Sequence, residues 1–265
     1  MKYEILFCDV DGTLLNSRRE LSKENITAVR EWVRAGGKFI ISTGRPLAGV
    51  TEISKKLGFK SPSCILYNGA EVYIGGKKIF SACLKEETAK KIVEEGHRRN
   101  STMILWRENV LYAEKPSAKV DFYKSISKVE PVYVGDLSKV CDDKVVKILW
   151  YDDEFLTPIY KNQLQNEIFG ASLFISRPDF LEFVDENCSK KTALEKVAEY
   201  FKVPLQKTVA VGDGDNDIPM FEGAGLSVAM QNASEFVKSK CRLTTLSCDE
   251  DGVAKLINDI LEDRL

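Results

Sequence analysis

The chain contains one histidine, His97, in 265 residues. That excludes a histidine-rich metal site and leaves little room for a histidine-based nucleophilic triad. His97 stands in the charged run Glu94-Glu95-Gly96-His97-Arg98-Arg99 and is expected in solvent. The seven cysteines are scattered, odd in number and free of C-x-x-C pairs. This argues against a disulfide framework and a zinc site, and for a reducing, cytoplasmic setting. No apolar run approaches the ~20 residues of a membrane span. The first residues, Met1-Lys2-Tyr3-Glu4, lead straight into a strand pattern, so no signal peptide is expected. The net charge is only −2 and no basic run occurs, so neither nucleic acid nor an anionic membrane is expected as a partner. No low-complexity linker interrupts the chain.

What is present is a real core: 44% of residues are hydrophobic, over a length that suits one large or two modest domains. The stretch Phe7-Cys8-Asp9-Val10-Asp11-Gly12-Thr13 organises it. It follows the apolar run Ile5-Leu6-Phe7, which reads as a buried strand. Alternate side chains of an extended segment share a side, so Asp9 and Asp11 can enter one space while Val10 and Cys8 point elsewhere. Like charges at the end of a buried strand are tolerable with a cation between them or with one carboxyl protonated. Asp-Gly is also a common turn signal. From these residues alone, a chemical pair and a solvated turn stay equally open.

The pattern that follows is strand, helix, strand, helix, strand. A helix is expected over 21–35, with Ser22 as N-cap and Ile26, Val29 and Val33 as its apolar stripe. Lys38–Ile41 reads as a strand ending at Ser42-Thr43-Gly44-Arg45, Pro46 opens a helix to about Leu57, and Cys64–Tyr67 is a third strand ending at Asn68-Gly69-Ala70. Such alternation predicts a parallel sheet with helices on its faces, and ligands at the carboxyl ends of its strands. Asp9, Thr43 and Asn68 all fall at such ends. After a hairpin (Glu71–Ile74, Lys77–Phe80) the texture changes. A charged helix is expected over 85–99, further helices over 115–125 and 155–169, and strands over 102–107, 110–114, 144–151, 171–176 and 181–184. We read 83–187 as an α/β module inserted between core segments 1–82 and 188–265. The alternation then resumes, with a helix over 190–201, a strand over 207–211 running into Gly212-Asp213-Gly214-Asp215-Asn216-Asp217, a short helix from Pro219, a strand over 226–230, and helices over 233–240 and 252–261.

Two acidic clusters thus end strands of one sheet. Hard oxygen ligands without Cys or His select Mg²⁺ over zinc. A solvated acidic loop would also explain the second cluster, whereas an EF-hand would not, since its glycine and glutamate positions are unmatched. Thr13 and Thr43 can donate to phosphate oxygens, and Lys190, near a helix N-terminus, can add a point charge.

Taken in order, Asp9-Val10-Asp11-Gly12-Thr13, Thr43-Gly44-Arg45-Pro46, Ser189-Lys190 before Thr192-Ala193-Leu194, and Gly212-Asp213-Gly214-Asp215-Asn216-Asp217 resemble the four motifs of the haloacid dehalogenase superfamily. The finer pattern, with Asn68-Gly69-Ala70, Met230-Gln231-Asn232-Ala233 and Asp249-Glu250-Asp251-Gly252, resembles its Cof-type phosphatases, which carry a type IIB cap. The resemblance implies an α/β fold: a Rossmann-like parallel-sheet core with an inserted α/β cap. It implies Asp9 as nucleophile forming an aspartyl-phosphate, and Asp11 as general acid and base. It implies Mg²⁺ held by the carboxylates of Asp9 and Asp213 and the carbonyl of Asp11. Thr13, Thr43, Gly44, Arg45, Lys190 and Asn216 would line the phosphate site, with Asp217 in support. Two positions depart from the pattern: Lys191 stands where glycine is common, which keeps it in play beside Lys190, and Cys248 stands where asparagine is expected.

The expected function is hydrolysis of small phosphomonoesters, with sugar phosphates foremost and flavin or pyridoxal phosphates in reach, by a monomer. The alternatives are a phosphomutase with a related cap, a non-catalytic sensor of phosphorylated metabolites, and a phospho-receiver. Specificity is expected in the inserted module, where Arg107, Glu108, Arg177 and Asp179 fall at turns.

Overall fold

The computed structural model describes residues 2–265; Met1, the first residue of the expected core segment, lies outside the described residues. The chain forms two compact units, Met1–Thr43 with Val50–Phe80 and Ser189–Leu265, and Gly44–Gly49 with Ser81–Cys188.

The first unit begins with β1 (Ile5–Cys8), α1 (Lys23–Arg34), β2 (Lys38–Ser42), α2 (Leu47–Leu57, whose first turn groups with the other unit), β3 (Cys64–Leu66), β4 (Glu71–Ile74) and β5 (Lys77–Ser81). The second unit contributes α3 (Glu86–Arg98), β6 (Thr102–Arg107), β7 (Val110–Ala113), α4 (Ala118–Ser127), β8 (Val132–Tyr133), β9 (Val145–Tyr151), α5 (Leu156–Leu164), β10 (Ala171–Arg177) and β11 (Phe180–Asp185). The first unit then resumes with α6 (Lys190–Phe201), β12 (Thr208–Gly212), α7 (Ile218–Gly223), β13 (Leu226–Ala229), α8 (Glu235–Lys238), β14 (Leu243–Thr244) and α9 (Gly252–Leu261).

Among the described residues, the first unit's sheet has eight strands in the order β14-β13-β12-β1-β2-β3-β4-β5. It is parallel from β14 to β3, and β4 turns back antiparallel. The α/β pattern of the sequence therefore folds as expected. β1 is central: Cys8 pairs with Ile41 on one side and Val211 on the other. Ile5 and Phe7 pack with Ile40, Ile65 and Ala210 under Ala193, Leu194 and Val197 of α6 and Met220 and Phe221 of α7. Each such fully buried large side chain is worth roughly 1.5–3 kcal/mol. The strands need no alternation because both faces are covered.

One expectation about α1 fails. Ser22 caps the helix as expected, accepting from Asn25 N. The buried positions, however, are Asn25, Ala28, Val29 and Trp32, while Val33 is exposed. The reason is hydrogen bonding: Asn25 Nδ2 donates to Leu14 O at 3.2 Å and Oδ1 accepts from Ala254 N at 2.9 Å. Trp32 Nε1 donates to Lys38 O. A polar side chain with both ends satisfied takes the inward position, rotating the apolar stripe by about one residue.

The second unit's sheet runs β10-β11-β9-β6-β7-β8, antiparallel except for the β7–β8 pair. Glu108 and Asn109 turn β6 into β7 with positive φ at both, as a tight hairpin requires. One face buries Met103, Leu105, Ile148, Trp150, Leu181 and Phe183 beneath Ile92 and Val93 of α3 and Leu164 of α5. Three boundaries differ from expectation. α4 starts only after Pro116, where Ser117 accepts from Val120 N. α5 stops at Leu164, followed by a turn in which Leu164 O accepts from Glu167 N and Ile168 N. α8 is a single turn. No helix among the described residues is long and apolar enough to cross a membrane.

Candidate active site

The site is built from the ends of three adjacent strands. Asp9 N continues the ladder past β1 by donating to Val211 O at 3.0 Å. Beyond it the chain turns sharply: Leu14 N donates to Asp9 O, Leu15 N to Val10 O, and Gly12 adopts φ +77°. Thr43 N donates to Ile65 O past the end of β2. Past β12, Asp217 accepts at Oδ2 from the backbone N–H groups of Asp213 and Gly214, both at 3.1 Å, and this folds the acidic loop back on itself. A Cβ at Gly212 would lie 2.3 Å from Asp217 Oδ2, so glycine is what allows that close approach.

Lys190 opens α6, capped by Ser189. Its Nζ donates to Asp9 Oδ1 and Asp217 Oδ1, both at 2.6 Å, and to Ser42 O at 3.1 Å. Lys190, Asp9 and Asp217 are all buried. Lys191 is only half-buried and packs its stem toward Gly223 of α7. The structure therefore brings Lys190, not Lys191, among the carboxylates.

Asp9, Asp213 and Asp217 offer carboxylate oxygens within 4.8 Å of one another. Thr13 Oγ1 donates to Asp213 Oδ1 at 2.7 Å. Burial pushes the Asp9 carboxyl well above the usual range, against the pull of Lys190 and with further upward pressure from Asp217 and Asp213. Burial likewise pushes Asp213 up to about 6, opposed by the Thr13 hydroxyl. Burial alone would lower the Lys190 pKa, but Asp217 and Asp9 outweigh it and hold the ammonium charged. Two carboxylates so destabilised, in a donor set of hard oxygens, suit a divalent cation such as Mg²⁺. Asp217 has both oxygens committed, to Lys190 and to two amides. It is placed to orient the lysine, which leaves Asp9 and Asp213 as the carboxylates available to a cation.

Asp11 is exposed, one turn of chain beyond Asp9. Asn216 Nδ2 donates to Asn68 Oδ1 at 3.2 Å, tying the acidic loop to the turn after β3. That turn is strained by design: Tyr67, Asn68 and Gly69 all have positive φ, and a Cβ on Gly69 would meet Ser189 O at 2.2 Å. Thr43 is buried at the strand end. Gly44 and Arg45 group with the second unit, where Arg45 Nη1 donates to Gly49 O. The expected specificity charges of that unit are paired internally: Arg107 with Asp142, Glu108 with Lys144, and Arg177 with Asp179.

Two residues to which the sequence assigned no role join the site. Asn68 is one. Asn232, just beyond β13, is the other, with its Nδ2 2.8 Å from Gly12 O and 3.5 Å from Asp213 Oδ2. The signal for both was position, since each follows the carboxyl end of a core strand.

The fold agrees with comparisons to known proteins. A family model described as haloacid dehalogenase-like hydrolase matches residues 6–257. The chain belongs to that family. It is 30% identical over 257 residues to the 5-amino-6-(5-phospho-D-ribitylamino)uracil phosphatase YcsE of Bacillus subtilis, covering 96% of this chain and 94% of that one. The crystal structure of TM0651 from Thermotoga maritima superposes with a TM-score of 0.87 at 31% identity, covering 97% of each chain. A haloacid dehalogenase-like hydrolase from Bacteroides thetaiotaomicron gives 0.89 at 27% identity, covering 98% of this chain and 100% of that one.

Proposed function

We propose that the chain is a Mg²⁺-dependent phosphatase of small phosphomonoesters that works through an aspartyl-phosphate. The observation that carries this reading is the buried Lys190, held 2.6 Å from both Asp9 and Asp217 beside Asp213. A lysine in that position favours the anionic form of Asp9 against the effect of burial and presents a positive charge where phosphoryl oxygens would gather. Lys190 occupies Asp9 Oδ1, so Oδ2 is the oxygen that attacks phosphorus.

In the first step the Asp9 Oδ2–P bond forms and the ester P–O bond breaks, while the Asp11 carboxyl gives its proton to the departing alkoxide. In the second, Asp11 takes a proton from water, whose oxygen attacks phosphorus and releases Asp9. Such acid–base help is typically worth ~10²–10⁴ in rate. Thr43 and Lys190 hold the transferring group, Thr13 fixes the Asp213 carboxylate, and Asn216 lines the phosphate site. Asp9 and Asp213 would hold Mg²⁺ with the Asp11 carbonyl, and the ion would supply charge neutralisation between nucleophile and phosphate. Residues 83–187 would serve as the cap. The reading extends to phosphorylated sugars and sugar alcohols, supported by the ribityl phosphate in the name of the Bacillus relative. Free cysteines throughout suit a reducing cytoplasm, and a monomer suffices for one such site.

The test is phosphate release from a panel of phosphomonoesters, with and without Mg²⁺, using wild type and Asp9→Asn. Continuous release that needs Mg²⁺ and vanishes in Asp9→Asn is expected. One turnover or none, with Mg²⁺ bound, would instead mark a receiver or a sensor. Activity that survives Asp9→Asn would overturn the mechanism.

A further inference from the structure

Asn232 spends both ends of its amide on the backbone of distant loops, although its side chain is exposed to water. Nδ2 donates to Gly12 O at 2.8 Å, in the turn that carries Asp11, and lies 3.5 Å from Asp213 Oδ2. Oδ1 accepts from Cys248 N at 2.9 Å. The neighbouring Asp249 binds the same turn from its other end, accepting from Ser17 N at 2.9 Å. The turn over residues 11–17 is therefore held at two points by one surface segment, and Asn232 is the strut between that segment and the two acidic loops.

The contact to Gly12 is tight for a second reason. A Cβ on Gly12 would lie 2.4 Å from Asp213 Oδ2, so the turn and the Asp213 carboxylate are already in close contact. An amide that donates to the Gly12 carbonyl and approaches Asp213 Oδ2 sets the spacing between them. The arrangement also accounts for Cys248 where asparagine was expected. The segment contributes a backbone N–H at this position, and the Cys248 side chain turns inward and is buried.

Resting on the function proposed above, we infer that Asn232 is a positioning residue: it fixes the Asp11 turn against Asp213, and so sets the affinity of the acidic site for a divalent cation. Outer-shell partners of this kind typically contribute 10–100-fold to metal affinity. The inference is tested on the purified, metal-free protein by calorimetric titration with Mg²⁺, beside urea unfolding of the same samples.

Asn232→Ala is expected to bind Mg²⁺ about 10–100-fold more weakly than wild type. Cys248→Pro is the second variant. It removes the N–H that orients the Asn232 amide, and Ser247, at ψ 165°, already has the extended backbone that a residue before proline prefers. It should weaken Mg²⁺ in the same direction with Asn232 intact. A role confined to folding would lower the urea midpoint and leave the affinity of the folded protein within twofold of wild type, and that result overturns the inference alone. A wild type that binds no Mg²⁺ overturns the proposed function and this inference with it.

Discussion

Lys190 and Asp217 are 27 residues apart in the chain, yet Nζ and Oδ1 stand 2.6 Å apart with neither side chain open to solvent. The same ammonium reaches Asp9 at the same distance. One lysine thus serves two buried carboxylates, one placed for chemistry and one whose remaining oxygen closes the acidic loop. The ammonium and the two carboxylates form one buried charge triad.

Removing the lysine should cost stability as well as activity. Lys190→Met leaves Asp9 and Asp217 buried without a counter-charge, and breaking a buried pair in this way typically costs about 3–5 kcal/mol. Urea unfolding should show a loss of that order, with phosphate release abolished. Adding Asp217→Asn removes one uncompensated carboxylate and should return part of the stability but none of the activity. A single variant as stable as wild type would show that the carboxylates are satisfied without Lys190.

Two glycines test the packing of the site at different depths. Gly12 has φ +77°, and its absent Cβ would meet a side-chain oxygen of Asp213. Gly69 has φ +118°, and its absent Cβ would meet the backbone carbonyl of Ser189. A carboxylate can rotate aside, whereas the first turn of α6 cannot move without moving Lys190. Gly12→Ala should therefore fold with a modest loss of stability and a displaced Asp213, read as a sharp fall in phosphate release. Gly69→Ala should lose more stability, at least the ~1–3 kcal/mol of a strained non-glycine backbone. Thermal unfolding beside phosphate release would separate the two, and equal destabilisation would contradict the distinction.

The site was legible in the sequence wherever its residues stand at strand ends, because alternation, strand length and a following glycine are local signals. Asp9, Thr43 and Asp213 belong to that group. What could not be read was decided by hydrogen bonds between distant segments. Asn25 displaced the expected apolar stripe of α1 because its partners, Leu14 and Ala254, come from a loop and a helix far along the chain. Asn232 stands just past a strand end, but the hydrogen bonds that give it a place join it to Gly12 and Cys248, in other segments of the chain. The two-residue strands β8 and β14 carry too few positions for periodicity to show. The internal pairing of Arg107 with Asp142 was likewise invisible, since the partners are 35 residues apart.

Asp152 offers a prediction about pH. It follows β9, its side chain is buried, and Oδ2 has no hydrogen-bond partner among the described residues. Burial raises its pKa. The nearby Ser101 hydroxyl and Lys119 Nζ, 4.0 Å from Oδ1, oppose the rise only in part. A carboxyl with a raised folded pKa binds its proton more tightly in the folded protein than in the unfolded chain. Its cost to stability is therefore absent below the unfolded value of about 3.9, grows as pH rises toward the folded pKa, and is complete above it. Asp152→Asn removes that cost while keeping the shape of the side chain. The variant should melt above wild type near neutral pH, and the gap should close as pH falls toward about 4. Each ~1 kcal/mol of relief should appear as a rise of about 2–4 °C in a chain of this size. A variant that melts below wild type at neutral pH would mean that attraction to Lys119 outweighs burial. A gap that is constant with pH would mean that Asp152 is not the group that titrates.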